Sequence, residues 1–376
     1  MTVVVEGATA VHPVALAAAD DLATTKARIS PRDTGVLVGC AVAALAADWL
    51  IFERFSHGSG AVGFWLCWYL GFLGLVYIVT RENEGHLGAI DRLTTVVVWS
   101  GGLGLLVPLV LVIGFVVAKG YHALTLGFFY KDLKTVGPLQ AATAGGGAHA
   151  VIGTLEQVGS AVLVAVPLGV LTAVYLNEVG GRLKRPVRLF VDAMSGLPSI
   201  VAGLFIYAVV LQGLHQGFSG SAAAISLAIL MLPTITRTSE EVLRLVPSGL
   251  REASFALGST QWRTVWSVVL PTARSGLVTA VLLGVARAVG ETAPLILTSL
   301  YSPAINTNLF HGEQASLPTL IYFNYGSSQL AQQQRAFTAA LVLIVLVLVL
   351  FTLARILGNR KPGGRRLLRP SKKVSP

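Results

Sequence analysis

Arg287 and Glu291 stand one helical turn apart in GVARAVGETAPLILTS (284–299), inside a run that is otherwise apolar. A guanidinium is planar, stays charged and offers paired donors that match the oxygens of an oxyanion. A nearby carboxylate can accept a hydrogen bond from an oxyanion that keeps a proton, and it repels one that has none. A site built around a required donor rejects the analogue that lacks it. The pair therefore fits a site that holds a protonated oxyanion and discriminates at once. The alternative is a private ion pair that neutralises itself for packing, and the match of guanidinium to oxyanion favours the first reading.

A charge within a membrane-spanning run costs about 2.5–3.5 kcal/mol or more unless it faces a polar interior, so each one is a candidate functional group. Ser195, Ser199 and Thr292 are candidate neutral donors beside Arg287 and Glu291. Glu156 and Arg237 are secondary candidates for the same path. Asp192 is expected to pair with Arg188 by i,i+4 spacing. Asp48, beside Trp49 and close to Arg54, is expected to have an interfacial or a paired structural role. Gly284, Ala286, Ala288 and Gly290 are small enough for close helix packing or a lined passage. Pro294 weakens the helix just beyond.

What must position these groups is a set of membrane helices. Of 376 residues, 54% are hydrophobic and only 12% charged, against about 25% charged in soluble domains. Eight runs approach the roughly 20 apolar residues that a span needs: 35–52, 61–80, 94–118, 151–176, 189–211, 221–235, 276–300 and 337–357. The sixth is short. With the N-terminus inside, 21 of the 28 Lys and Arg residues fall on inside segments and five outside, which places both termini in the cytoplasm of a cell-membrane protein. The net charge of +10 is thus an orientation signal, and no nucleic-acid partner is expected. The basic tail 358–376 fixes topology and can attract anionic lipid. Two cysteines within apolar runs and seven scattered histidines leave no metal-ligand spacing, so no metal is expected. No secretory leader is expected at Met1.

Between the sixth and seventh runs lies RTSEEVLRLVPSGLREASFALGSTQWRTVWSVVLP (237–271). Its pattern is helix, break at Pro247, second helix. Ser248 is expected to cap that helix, with Glu252 in its first turns. Leu250, Ala253, Phe255, Ala256 and Leu257 form an apolar patch, and Gly258 can leave the helix at positive φ. Such a patch invites a partner or a membrane surface.

Glu252, Ala253, Ser254, Gly258, Val268, Leu270 and Pro271 match the E-A-A, G, I-x-L-P coupling motif at every spacing, with Ser254 for Ala and Val268 for Ile. The chain resembles ABC-importer permeases. SGLPSIVAGLF (195–205), LMLPTITRTSEEVLRLVP (230–247), RAVGETAPLILT (287–298) and AGGGAHAVIGTL (144–155) resemble the phosphate-specific branch, and GETAP its PstA-type subunits. The resemblance covers roughly residues 94–357. It implies an all-α polytopic bundle with a type I permease core, and the first two apolar runs lie outside it as two extra N-terminal helices. The implied organisation is a cytoplasmic segment 1–33, two additional helices in 34–93, a six-helix permease domain 94–357 with coupling loop 237–271, and the tail.

The resemblance further implies that Leu250, Glu252, Ala253, Ser254, Phe255 and Gly258 dock into an ATPase subunit. No G-x-x-x-x-G-K-[ST] phosphate loop is present, so ATP would be bound by that partner and the chain would be a permease without a cofactor or enzymatic activity of its own. The other implied partners are a PstC-type permease, a second ATPase copy and a periplasmic or lipid-anchored phosphate-binding protein. A permease for sulfate or molybdate stays open, as do a secondary transporter or channel without ATPase and a membrane scaffold.

Overall fold

The structure is a computed structural model that describes residues 31–55 and 61–358. The N-terminal segment and the basic tail lie almost wholly outside the described residues. Every regular element among the described residues is helical. The chain divides into two compact units, residues 1–111 and 112–376.

The first unit holds α1 (Pro31–Phe55) and most of α2 (Ala61–Gly120). Gly85 interrupts α2 at φ 80°, ψ −178°, a backbone state that essentially only glycine adopts. Tyr69 Oη and Ser100 Oγ, almost equally far before and after Gly85, are 2.5 Å apart. The two halves of α2 therefore fold back on each other as a hairpin. Cys40, Ala44 and Asp48 are buried along one face of α1, with Ala44 against Gly71 and Trp68 donating to the Ala41 carbonyl at 3.1 Å. Asp48 is thus a buried residue of this packing face. Asp33 and Arg92 pair at 3.0 Å. Val98, Leu105 and Leu111 are widely exposed, a surface suited to hydrocarbon rather than water.

The second unit contains α3 (Ala148–Val174), α4 (Lys184–Ser195), α5 (Ser199–Ile206), α6 (Gly220–Arg244), α7 (Ser248–Ala256), α8 (Gln261–Thr264), α9 (Leu270–Val289), α10 (Ala293–Thr298), α11 (Leu317–Tyr325) and α12 (Leu330–Gly358). Wider π-helical turns extend α3 (Tyr175–Val179) and α5 (Tyr207–Gly213) and join α8 to α9 (Val265–Val269). Such turns often mark functional places.

Six helices among the described residues are long and apolar enough to cross a membrane, or seven if α4 with α5 counts as one span. The hairpin at Gly85 divides one of these six. Three of the expected spans are corrected. The run 189–211 is two helices bent by 106°, because Gly196 and Pro198 end one helix and open the next. The run 276–300 is broken between Val289 and Ala293. The short run 221–235 belongs to the 25-residue α6, which continues through Arg237 to Arg244 and trims the loop accordingly.

The most buried helix is α6. Leu227, Met231 and Ile235 meet Val158, Ala161 and Ala165 of α3 and Ala288 and Val289 of α9. Ile235 is wedged between two glycines. A Cβ at Gly169 would lie 2.8 Å from Ile235 Cγ2, and one at Gly284 would lie 2.6 Å from Ile235 Cγ1. Lipid tails are as apolar as leucine, so association depends on such close packing. At the other end, Gln157 donates to both the side chain and the carbonyl of Gln314, and Thr154 accepts from the Leu317 amide at 2.8 Å. These bonds hold the segment 299–316 over the bundle.

Candidate translocation face and coupling segment

Arg287 occupies the last turn of α9, not the middle of a continuous span, and Glu291 follows the helix end at Gly290. Depth is read from the neighbour instead. An Arg287 nitrogen lies 3.4 Å from Thr234 Oγ1, and Thr234 is about 21 Å along α6 from Gly220 and about 15 Å from Arg244 at 1.5 Å per residue. The guanidinium therefore sits near mid-depth of the central helix. Its Nε is 4.0 Å from Glu291 Oε1, beyond hydrogen-bond range. Arg287 keeps 44% of its side chain exposed, against 19% for Glu291. The pair attracts without saturating its donors.

Two breaks lie side by side. Gly203 in α5 is so close to α10 that a Cβ there would be 2.7 Å from Pro294 Cα. The sequences GLPS and GETAP share a logic: glycine ends a helix, and proline, lacking an N–H, starts the next. Ser199 opens α5 and Thr292 precedes α10. Both are half-buried. Ser195 Oγ donates to the Asp192 carbonyl at 2.7 Å, so its proton is engaged by the backbone in this state.

Below Thr234 on the same face of α6 comes Arg237. It pairs with Asp192 of α4, and both side chains are well exposed. The expected Asp192–Arg188 pair does not form. Arg188 pairs with Glu240, which Arg244 also binds at 2.7 Å. Tertiary packing of α4 on α6 overrides the spacing within α4, because a carboxylate that is 2% exposed must be compensated. The open face of α6 thus runs from Thr234 through Arg237 to Arg244. Glu156 stands apart, accepting from Gln314 in the network that anchors 299–316. Thr234 was missed from the sequence. Its signal was its place one helical turn before Arg237, immediately after Pro233.

In the coupling segment, α7 leaves Leu250, Phe255 and Leu257 exposed at 42%, 47% and 87%. Glu252 and Ala253 are also exposed. Two expectations are corrected. The N-cap is Pro247 without a side-chain cap, and Ser248 is the first helical residue. Glu252 lies in the second turn. Ser254 points inward, its hydroxyl 2.9 Å from that of Thr264, where the motif's usual alanine would leave the Thr264 hydroxyl without this partner. Gly258 leaves α7 at φ 76° with open space where a Cβ would go, so any cost of substitution there is backbone strain alone. Arg251 turns inward too, making two bonds to the Glu178 carboxylate at 2.7 and 3.1 Å.

Residues 165–361 match the family described as binding-protein-dependent transport system inner membrane component. A relative from Mycobacterium tuberculosis, phosphate transport system permease protein PstA 1, is 47% identical over 64% of this chain and 80% of its own length. The Mycobacterium leprae phosphate transport system permease protein PstA is 44% identical over 73% of this chain and 92% of its own. Among solved structures, a chain of an inward-facing MetNI methionine ABC transporter matches 55% of this chain and 88% of its own at 24% identity and TM-score 0.40. With the matched span holding both helix breaks, the open face of α6 and the whole coupling segment, the chain belongs to the binding-protein-dependent inner-membrane transport components, among their PstA-type permeases.

Proposed function

We propose that this permease forms half of the membrane path of an ATP-driven phosphate importer. The observation that carries this reading is Arg287, half-exposed at mid-depth beside the broken helices, on the permease fold of relatives named for phosphate transport. Arg287 would bind the anion through paired donors. Glu291 would accept the hydrogen bond of its remaining proton, and Thr292 and Ser199 would complete the cage. Thr234 and Arg237 would carry the anion inward along α6. Each arginine on this route has an acidic neighbour, which keeps binding weak enough for release.

A PstC-type partner would cover the open face of α6. A pair of ATPase subunits would receive α7 through Leu250, Phe255 and Leu257, with Glu252 and Ala253 at the rim, and a periplasmic or lipid-anchored binding protein would deliver phosphate. The chain itself would bind no cofactor. The decisive experiment is radiolabelled phosphate uptake by the complete complex reconstituted in vesicles with ATP inside. Uptake should be ATP-dependent and resist a large excess of sulfate. Equal competition by sulfate would point to a general oxyanion permease, and uptake without ATP to a secondary transporter.

Both termini are proposed to be cytoplasmic, from the distribution of Lys and Arg. A reporter joined after Leu357 should then be active as a cytoplasmic fusion, and one placed near Asn306 as a periplasmic one. A periplasmic signal from the C-terminal fusion would defeat this topology.

A further inference from the structure

We propose that Arg251 and Glu178 are positioning residues, forming the joint that ties the exposed coupling helix α7 to the inner end of the membrane helix α3. The inference rests on reading α7 as the ATPase-docking helix, and it concerns how that helix is attached. A short helix gripped only by flexible loops would tilt independently of the bundle. Here one side chain removes that freedom. Arg251 Nη2 and Nε reach the two Glu178 oxygens at 2.7 and 3.1 Å. Its Nη1 donates to the Val246 carbonyl at 2.6 Å and Nη2 to that of Leu243 at 3.0 Å. A planar fork suits this arrangement, and a lysine ammonium cannot reproduce it.

Three elements therefore meet at one guanidinium: α7 itself, the π turn that ends α3, and the carbonyl end of α6, which carries partial negative charge. Glu178 is gripped from further sides. Asn177 Nδ2 donates to its Oε1 at 2.7 Å, and the Gln261 side chain donates to its backbone carbonyl. Its side chain is 9% exposed, and that of Arg251 20%. Beneath the joint, Ala173, Val174, Leu243, Val246, Val265 and Val269 form a continuous apolar cluster, so displacement of α7 is resisted by packing as well as by charge. The Ser254–Thr264 hydroxyl contact holds α7 one turn further along the same inward face. The apolar side chains that would meet the ATPase point the other way. A push on α7 would thus be delivered to the inner end of α3, whose other face packs on the central helix α6.

The test uses the full importer with its ATPase subunits, in vesicles. Glu178→Gln removes the charge from the joint and leaves the Arg251 bonds to Leu243 and Val246 in place. It should lower the kcat of phosphate uptake about tenfold, the scale of one charge-assisted bond, at unchanged KM for phosphate. The ATPase subunits should remain bound, and Glu178→Asp should recover most of the rate. Uptake within twofold of the parent would overturn the proposal. So would release of the ATPase subunits, or a fall in the thermal midpoint of the complex that accounts for the lost rate. Phe255→Asp, on the exposed face, should by contrast release the ATPase. If it does so while Glu178→Gln transports normally, the joint alone is refuted. If Phe255→Asp stays bound and coupled, the docking assignment falls and takes the joint with it.

Discussion

Arg287→Lys should lower phosphate uptake by about 10- to 100-fold, the range expected for losing a charge-assisted hydrogen bond, while the complex assembles normally. Lysine retains the charge but presents a single ammonium in place of a planar fork. Assembly should survive because Arg287 is 44% exposed and its polar contacts, to Thr234 and Glu291, are at 3.4 and 4.0 Å. Neither contact anchors the fold. Glu291→Gln should lower phosphate flux and narrow the gap between phosphate and sulfate, since the amide no longer repels an anion without a proton. The self-neutralising pair makes the opposite forecast. Replacing both Arg287 and Glu291 by leucine would then leave assembly and transport nearly intact. Uptake of radiolabelled phosphate by that double variant separates the two, and near-parental uptake would remove both residues from the path.

Gly284→Leu should prevent assembly. A Cβ alone would stand 2.6 Å from Ile235 Cγ1 and 3.0 Å from its Cδ1. Ile235 has nowhere to retreat, because Gly169 presses it from the α3 side at 2.8 Å for its own absent Cβ. Overpacking a core costs about 1–3 kcal/mol and occasionally more. Here relief would require separating α9 from α6 or α6 from α3, so the upper end is expected. The measurement is the yield and thermal midpoint of the complex in detergent, with Ile235→Ala as a second-site change. Gly284→Ala combined with Ile235→Ala should recover the yield that Gly284→Ala alone loses. A Gly284→Leu complex with the parental thermal midpoint would show that this contact is softer than its geometry.

The membrane character, the locations of most apolar helices and the short helix that ends at Gly258 were legible from the residues alone. Their signals are local: a run of apolar side chains long enough to span hydrocarbon, a bias in Lys and Arg, a glycine able to take positive φ after a short helix. Gly258 takes φ 76° because a glycine closing a short helix is a statement about one residue's own backbone. The place of Arg287 was misread, because the helix around it was drawn through residue 300 whereas α9 ends at Val289, two residues beyond it. GETAP reads as apolar by composition, and composition does not register that Gly290 and Pro294 end one helix and start another.

Pairings were decided elsewhere. Spacing within α4 favoured Arg188 with Asp192, yet each found its partner on α6, at Glu240 and Arg237, because α4 packs along that helix before the chain bends by 106° into α5. Ser254 resembled its neighbours in the coupling motif, but Thr264 draws it inward. Glu178 and Arg251 are 73 residues apart, with no periodicity connecting them. A charge pair of that separation exists only once two helix ends have been brought together, here over the apolar cluster of Ala173, Val174, Leu243, Val246, Val265 and Val269. Local chemistry is written along the chain, whereas the partner of each charge is set by which helices pack, and that is a property of the assembled bundle.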